Sequence, residues 1–577
     1  MSNGADGRNH AGIATSFTHT EASLLVHPLI HQPTTPNRKG AGGSWLGGED
    51  KAPLKAIHKN AYRLFHTHAH SLLPSPPPFA LSITANIIRS LTDHGRHSRD
   101  SPGPWYLPVP PCKRNLHTNQ IKTSGPYERY YAVCHTLNLY NNVGLTAHYT
   151  LPPPLLTKPR IFSALKALIN LHPPLGVTIL GEDTCEPRFA RLKTIDLEEI
   201  AQTILLPGED TTTELDTVLS EQHSRGFELG RIPAWRCLIF RDYEDEVGDV
   251  AVGGVGGGNR GVWISFIYHH ALADGVSGLA LHKSLLAALS RPHKNPTFAG
   301  RYVVHPQQKP YPSSLESLIP LPLSLPRIVS EVWSKVYFPL PSPPTLYTGS
   351  PTPACPTPTT TKTIYKSLHF SARTLKALLS VSRRENTTIT SLLTAIIAIA
   401  IFQAIPGKFD KLISSTPINL RRYAPTERIQ EVAVGAYVAS IQSEYSRSPP
   451  TSSNLFAIAR EHTAQIHDRL DAGTADLDVG MLRWISDLFA FLKGKFGKQR
   501  EDSFAVSNVG AWDGEVGVDR IMFSQSGGVV GTAMEWCVVG VRGGGLVLGC
   551  TGCEGAVDAH VLERILKGVK RGVEGVE

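Results

Sequence analysis

The chain has 577 residues, 41% apolar and 18% charged, which excludes wholesale disorder and leaves room for two to four domains. Its formal charge of +8 suggests an anionic partner, but residues 1–120 hold 12 Lys/Arg against 6 Asp/Glu and residues 121–577 hold 45 against 43. The body of the chain is nearly neutral, so nucleic-acid binding is not its expected function.

The N-terminal fifth also carries 11 of the 24 His and 13 of the 44 Pro. It has no sustained helical or strand periodicity, and residues 1–120 are read as a disordered extension. The start, MSNGADGRNHAG, is polar and lacks the apolar core and cleavage site of a secretory leader. The His66-Thr-His68-Ala-His70 tract has no acidic or Cys neighbours, so no metal site is expected.

From Tyr127 the texture changes. Arg129–Asn138 alternates like a strand, and Ile161–Leu171 has helical spacing stopped by His172-Pro173-Pro174. Val177–Leu180, Trp235–Phe240 and Val262–Tyr268 read as strands. Between the last two lies GGVGGGNRG at 253–261. A phosphate-binding loop would end in Lys-Ser/Thr and lead into a helix; this run ends in Asn-Arg-Gly and leads into a strand, so it is read as a flexible hairpin connection. Residues 291–360 contain 16 Pro, which predicts a crossover linker with one short helix around Arg327–Tyr337.

Beyond the linker, Tyr365–Phe370 is strand-like and Ser371–Ser382 helical, with Ser371 as N-cap. Thr388–Ala404 is an apolar helix; its longest apolar run, Leu392–Phe402, is too short to span a bilayer. Lys411–Pro417 is a strand and Leu455–Leu470 a helix. Strands follow at Ser503–Val506, Glu535–Val541 and Leu546–Thr551, then a closing helix at Asp558–Gly568. The pattern predicts an α/β protein with α+β mixed sheets: one subdomain at 121–290, the linker at 291–360 and a second subdomain at 361–577. The eight Cys are scattered in apolar contexts, as expected of free buried thiols in a reducing, cytoplasmic compartment. Cys550-Thr-Gly-Cys553 lacks the second pair that a zinc site needs.

One segment carries chemistry: Phe266-Ile-Tyr-His269-His270-Ala-Leu-Ala-Asp274-Gly275. A His at a strand end is held in place by the strand and can face a cleft, and its ordinary pKa suits it to accept a proton at neutral pH. Asp274 lies beneath it if a helix begins here, and Gly275 allows a tight turn. By itself HxxxD could equally be a surface pair or two metal ligands. The extended HHxxxDG pattern after an apolar strand is far more specific.

That segment resembles the active-site motif of the superfamily containing chloramphenicol acetyltransferase, non-ribosomal peptide condensation domains and plant BAHD acyltransferases. Other pieces are similar to one branch, the fungal alcohol acetyltransferases. They are Glu128-Arg-Tyr, Leu171-His172-Pro173-Pro-Leu175, Ile232-Pro-Ala-Trp235-Arg236, Thr416-Pro-Ile-Asn419-Leu-Arg421-Arg422, Val506-Ser507-Asn508-Val-Gly510, and Gly545-Leu-Val-Leu548 with Glu554-Gly555. The resemblance covers residues 121–577 in order and leaves out the first 120.

The resemblance implies two chloramphenicol-acetyltransferase-like domains with the active site in a tunnel between them, acyl-CoA entering one mouth and the acceptor the other. It makes His270 the general base and gives His269, Asp274 and Gly275 structural roles. Asp274 would pair with an Arg. Condensation relatives place one in an Arg-His-Pro element, but this chain reads Asn170-Leu171-His172-Pro173, so Arg236, Arg421 and Arg422 stay open as partners. Ser507 and Asn508 are candidates for oxyanion or substrate contacts, against simple turn chemistry.

The expected activity is transfer of acetyl from acetyl-CoA, a co-substrate, to an alcohol, with no bound cofactor and no metal. The alternatives are N-acetylation of an amine such as a sphingoid base, a condensation-type enzyme fed by a carrier protein, and a non-catalytic binding protein. A monomer is expected. Peripheral association with a membrane or lipid droplet fits an enzyme with apolar acceptors; the amphipathic helix Val561–Val573 has a face for it, although such a helix more often packs on its own domain.

Overall fold

The structure, a computed structural model, describes residues 120–206, 210–242, 261–291, 302–334, 343–428, 433–448, 452–513 and 516–576. The expectations for residues 1–119, the His66–His70 tract included, and for the glycine run up to Arg260 lie outside these residues.

The strands are β1 (Gln120–Thr123), β2 (Val143–Tyr149), β3 (Val177–Leu180), β4 (Arg188–Arg191), β5 (Ile195–Asp196), β6 (Ala201–Leu206), β7 (Trp235–Asp242) and β8 (Val262–Tyr268). They continue as β9 (Val303–Val304), β10 (Thr363–Phe370), β11 (Lys411–Asn419), β12 (Val438–Ser446), β13 (Phe504–Trp512), β14 (Val518–Gln525), β15 (Met534–Val541) and β16 (Leu546–Cys553). The helices of at least two turns are α1 (Pro126–Thr136), α2 (Lys158–Leu171), α3 (Thr211–Ser224), α4 (Gly275–Ser290), α5 (Leu325–Val332), α6 (Ala372–Arg384), α7 (Ile389–Ala404), α8 (Ser452–Asp471) and α9 (Ala559–Glu574).

Two mixed sheets organise the molecule. The first runs β14-β2-β8-β7-β6 and the second β10-β16-β15-β13-β11-β12. In the first, only β6 and β7 are parallel. In the second, β13 is parallel to both β11 and β15. The mixed α/β class expected from the sequence is the one observed. Strand β14 comes from the C-terminal part of the chain yet pairs with β2, with Phe523 opposite Leu145 and Gln525 opposite Val143. The first sheet is therefore closed by a strand from beyond residue 500.

Local sequence explains most of these elements. All seven residues of β8 are buried, as its unbroken Val-Trp-Ile-Ser-Phe-Ile-Tyr run requires of a central strand. Helix α7 buries nearly its whole surface and starts where the Thr388 hydroxyl accepts from the Ser391 amide at 3.1 Å. Helix α9 buries Ile565, Val569 and Val573 in one core with Ile396, Ile397 and Ile401 of α7. The helix thus packs on its own domain, the other of the two readings of its apolar face. No single helix among the described residues is long and apolar enough to cross a membrane.

Arg129–Asn138 is not a strand. It lies in and just beyond α1, where Pro126 occupies the first turn and Glu128 reaches back to accept from the Gly125 amide at 2.7 Å. These start signals outweigh the apparent alternation of its aromatic residues. Strands β1, β2, β4, β5, β6, β9, β12 and β14 and helix α3 had not been anticipated. In the Pro-rich stretch, regular structure among the described residues is limited to short pieces, β9, a single turn at Leu315–Leu318 and α5.

Candidate active site

The last residue of β8 is Tyr268, and the chain then turns through His269–Ala273 into α4. His269 is buried. Its amide donates to the Ala234 carbonyl at 2.9 Å, and its Nδ1 accepts from the Ala271 amide at 3.0 Å. Burial, with His135 and His270 close by, holds it neutral, well below the usual imidazole pKa. Its Nε2 is buried and finds no hydrogen-bond partner among the described residues.

His270 faces a cage of tyrosines. Its ring centroid lies 4.0 Å from that of Tyr131, 5.6 Å from Tyr140 and 6.1 Å from Tyr127. Its Nδ1 is buried and has no hydrogen-bond partner among the described residues. Burial lowers its pKa, and the charge of Asp274 only partly opposes this, so the imidazole is neutral at physiological pH. Burial likewise raises the hydroxyls of Tyr127, Tyr131 and Tyr140, which stay protonated as hydrogen-bond donors. None of these tyrosines had been singled out. Tyr127 and Tyr131, four apart on α1, would have stood out had that segment been read as a helix.

Asp274 does not lie beneath His270 on a helix. The helix starts at Gly275, and Asp274 is its N-cap, accepting from the Ser277 amide at 3.0 Å. Its carboxylate also takes both Arg421 Nη atoms, at 2.7 and 3.0 Å, and the Tyr437 amide at 3.0 Å. Burial opposes its charge, but Arg421 and these donors outweigh it and hold the carboxyl below the usual range. Arg421 donates further to the Gly435 carbonyl at 2.9 Å and to Ser277 Oγ at 3.1 Å. The partner left open by the sequence is therefore Arg421. Arg236 instead ties down the carbonyls of Gln222, Arg225 and Gly226. Arg422 is exposed and lies over the Tyr423 ring.

Gly275 is needed for a reason other than a tight turn. Its φ is not left-handed, but a Cβ here would come within 2.5 Å of Val509 Cγ1 and 2.9 Å of Phe523 Cζ. A bare α-carbon lets α4 begin against β13 and β14.

Ser507 and Asn508 are not on a turn. Both lie inside β13, so their side chains point to opposite faces. Asn508 Nδ2 donates to Thr390 Oγ1 at 3.0 Å and its Oδ1 accepts from the Gly510 amide at 2.8 Å. Ser507 shares a face with Val509, the residue abutting Gly275. The structure therefore does not present the two side chains to one point. On the Asn508 side lies a cavity of about 940 Å³ between α6 and strands β13, β15 and β16, and Arg373, Lys376, Arg383 and Arg542 line it.

His135, Glu182 and His269 bring candidate ligand atoms within 4.8 Å of one another. Both His135 nitrogens are occupied, however. Nδ1 meets Glu182 at 2.7 Å and Nε2 accepts from the Phe227 amide at 2.9 Å. His135 and Glu182 are thus a hydrogen-bonded pair, and the His269 ring only packs on His135 at 4.8 Å between centroids. Cys550 and Cys553 are free and buried, and burial pushes both thiols up to about 12.

A model of the alcohol acetyltransferase family matches residues 211–567. The chain is 27% identical over 485 residues to the probable alcohol acetyltransferase crmB of Aspergillus fumigatus, a match spanning 78% of this chain and 98% of that protein. It is 23% identical over 476 residues to the probable alcohol acetyltransferase FCK4 of Fusarium pseudograminearum, spanning 78% and 94%. Among solved structures, the TRI3 trichothecene 15-O-acetyltransferase of Fusarium sporotrichioides aligns with a TM-score of 0.58 at 13% identity, over 79% of this chain and 95% of that one. The first condensation domain of the calcium-dependent antibiotic synthetase aligns with a TM-score of 0.50 at 13% identity, over 79% and 97%. These structural likenesses concern the fold.

Proposed function

Since the chain belongs to the alcohol acetyltransferase family, we propose that it transfers acetyl from acetyl-CoA to an alcohol, with His270 as general base. The observation that carries this reading is the environment of His270. It is a neutral imidazole fixed at a strand end, caged by three tyrosines and braced by the Asp274–Arg421 pair.

In this mechanism His270 removes the proton of the acceptor hydroxyl as the oxygen attacks the thioester carbonyl. A tetrahedral oxyanion forms, and Ser507, on the face of β13 shared with Val509, is the proposed donor to it. The intermediate collapses by breaking the carbon–sulfur bond, and His270 returns its proton to the CoA thiolate. No covalent acyl-enzyme is needed. The basic cavity beside Asn508 is the proposed seat of the CoA phosphates, since Lys and Arg there supply charge-assisted donors.

A thiol-release assay with acetyl-CoA and a panel of alcohols tests the proposal. His270→Ala is expected to lose about 10²–10⁴-fold in turnover with an unchanged melting temperature. Wild-type turnover in that variant overturns the assignment. In the same assay, Lys376→Ala combined with Arg383→Ala is expected to raise the KM for acetyl-CoA roughly tenfold or more. An unmoved KM removes the cavity from the donor site.

A further inference from the structure

Helix α1 carries three tyrosines within five residues, Tyr127, Tyr130 and Tyr131. Residues four apart share a helix face, so Tyr127 and Tyr131 point to the same side. The chain then turns back and brings Tyr140 against Tyr131. Tyr131 is the ring at the centre of this group. Its centroid lies 5.0 Å from that of Tyr127, 5.2 Å from Tyr130 and 5.5 Å from Tyr140, at interplanar angles of 65°, 87° and 62°. Three steeply inclined neighbours of this kind hold a ring in one orientation. The contact with His270 is of another sort. The two centroids are 4.0 Å apart and the planes only 31° from parallel, so the imidazole lies over the face of the phenol ring. Tyr127 meets His270 edge-on, at 88° and 6.1 Å, and Tyr140 is 5.6 Å away.

A general base must hold the proton it takes, and burial makes that costly for His270. Asp274, in the same turn, offsets only part of the cost. Its oxygens accept from both Arg421 Nη atoms, the Ser277 amide and the Tyr437 amide, and the Arg421 charge cancels much of its own. What the structure places against the imidazole is a π face, which attracts a cation more strongly than a neutral ring. An interaction that strengthens only as charge develops lowers the barrier instead of deepening the ground state.

We propose that Tyr131 is a positioning residue that acts through His270: its ring face stabilises the imidazolium formed when His270 takes the proton of the acceptor hydroxyl, until that proton passes to the CoA sulfur. The role belongs to the ring and not to its hydroxyl. A face that favours the charged imidazole raises the His270 pKa, so its removal lowers it. Looser packing does the reverse, because water admitted to the site brings the imidazole back up towards 6.5. The titratable groups facing His270 are Tyr127 and Tyr131 of α1, Tyr140 after it, and His269 and Asp274 of its own turn. Glu535 of β15, pushed by burial up to about 7, acts on Tyr131 and Tyr140. All but Tyr131 are common to the variants compared below, so differences among them report the ring.

This proposal rests on the acetyl-transfer reading, and the experiment separates the two. The full-length protein is assayed across pH with acetyl-CoA and hexanol, decanol or benzyl alcohol, as wild type, Tyr131→Phe and Tyr131→Leu, with melting temperatures recorded. In a further series the phenylalanine of Tyr131→Phe carries one or three ring fluorines, which drain the π face at nearly constant volume. Tyr131→Phe is expected to keep kcat within about threefold of wild type and the midpoint of the acid limb of kcat/KM in place. Tyr131→Leu and the trifluorinated ring are expected to lose about three- to thirtyfold in kcat with the acetyl-CoA KM unmoved. Their acid-limb midpoint moves to lower pH by about 0.5–1.5, and the monofluorinated ring falls between. The fluorinated series decides the matter even where Tyr131→Leu fails to fold. A kcat insensitive to fluorination, or a midpoint that stays or rises in a folded Tyr131→Leu variant, overturns the proposal and leaves acetyl transfer standing. Absence of any acetylated product with the wild type overturns both.

Discussion

At the scale of residues, the proposed chemistry turns on one imidazole whose surroundings set its proton affinity. Burial lowers the His270 pKa from its ordinary value of 6.5, so the ring stays unprotonated, and competent as a base, at pH values where an exposed His is already charged. The midpoint of the acid limb of kcat/KM is therefore expected below pH 6.5. A half-maximal rate at or above pH 7 in the acid limb of kcat/KM would contradict this environment. The identity of His270 was legible in the sequence because HHxxxDG after an apolar run is a rare local pattern. The tyrosine cage was not legible, since Tyr140 reaches His270 only after α1 has folded and the chain has turned back.

At the scale of elements, the turn between β8 and α4 is held as much by distant segments as by its own residues. Asp274 caps α4 and binds Arg421 from the segment after β11 and Tyr437 from just before β12. The pair is almost fully enclosed, with side-chain exposures of 1% and 13%. Removing one partner leaves a buried charge, so Asp274→Asn or Arg421→Met is expected to cost about 3–5 kcal/mol. The double variant should cost little more than either single one, because the interaction is lost only once. Urea unfolding of the three variants measures this, and additive losses would sink the idea of a single clasp. The sequence narrowed the partner to three arginines. It could not choose, because Arg236 is spent on the carbonyls of its own neighbouring loop and Arg422 turns to solvent, and both facts depend on chain path.

At the scale of the whole molecule, strand β14 joins the two sheets. It pairs with β2 through residues Val518–Gln525, and its last residue, Gln525, bridges Tyr140 of the first part of the chain to Glu535 of the second. A fragment ending at residue 360 would expose the edge of β2 and lose that bridge, and an unpaired inner edge invites aggregation. Such a fragment is expected to be insoluble or to unfold without cooperativity, and co-expression with the remainder should restore a soluble complex. A fragment that unfolds cooperatively alone would show that β14 is dispensable. The sequence by itself determined the mixed α/β class, half of the strands, most of the longer helices and the family, and offered His270 as the proposed base, because each is written in local periodicity or in a contiguous motif. Only the tertiary structure decided which arginine clasps Asp274, that Ser507 and Asn508 face opposite ways, that α9 is buried on α7, and that a strand from beyond residue 500 closes the first sheet. Those outcomes depend on burial and on pairing between segments hundreds of residues apart, and such contacts leave no local trace in the chain.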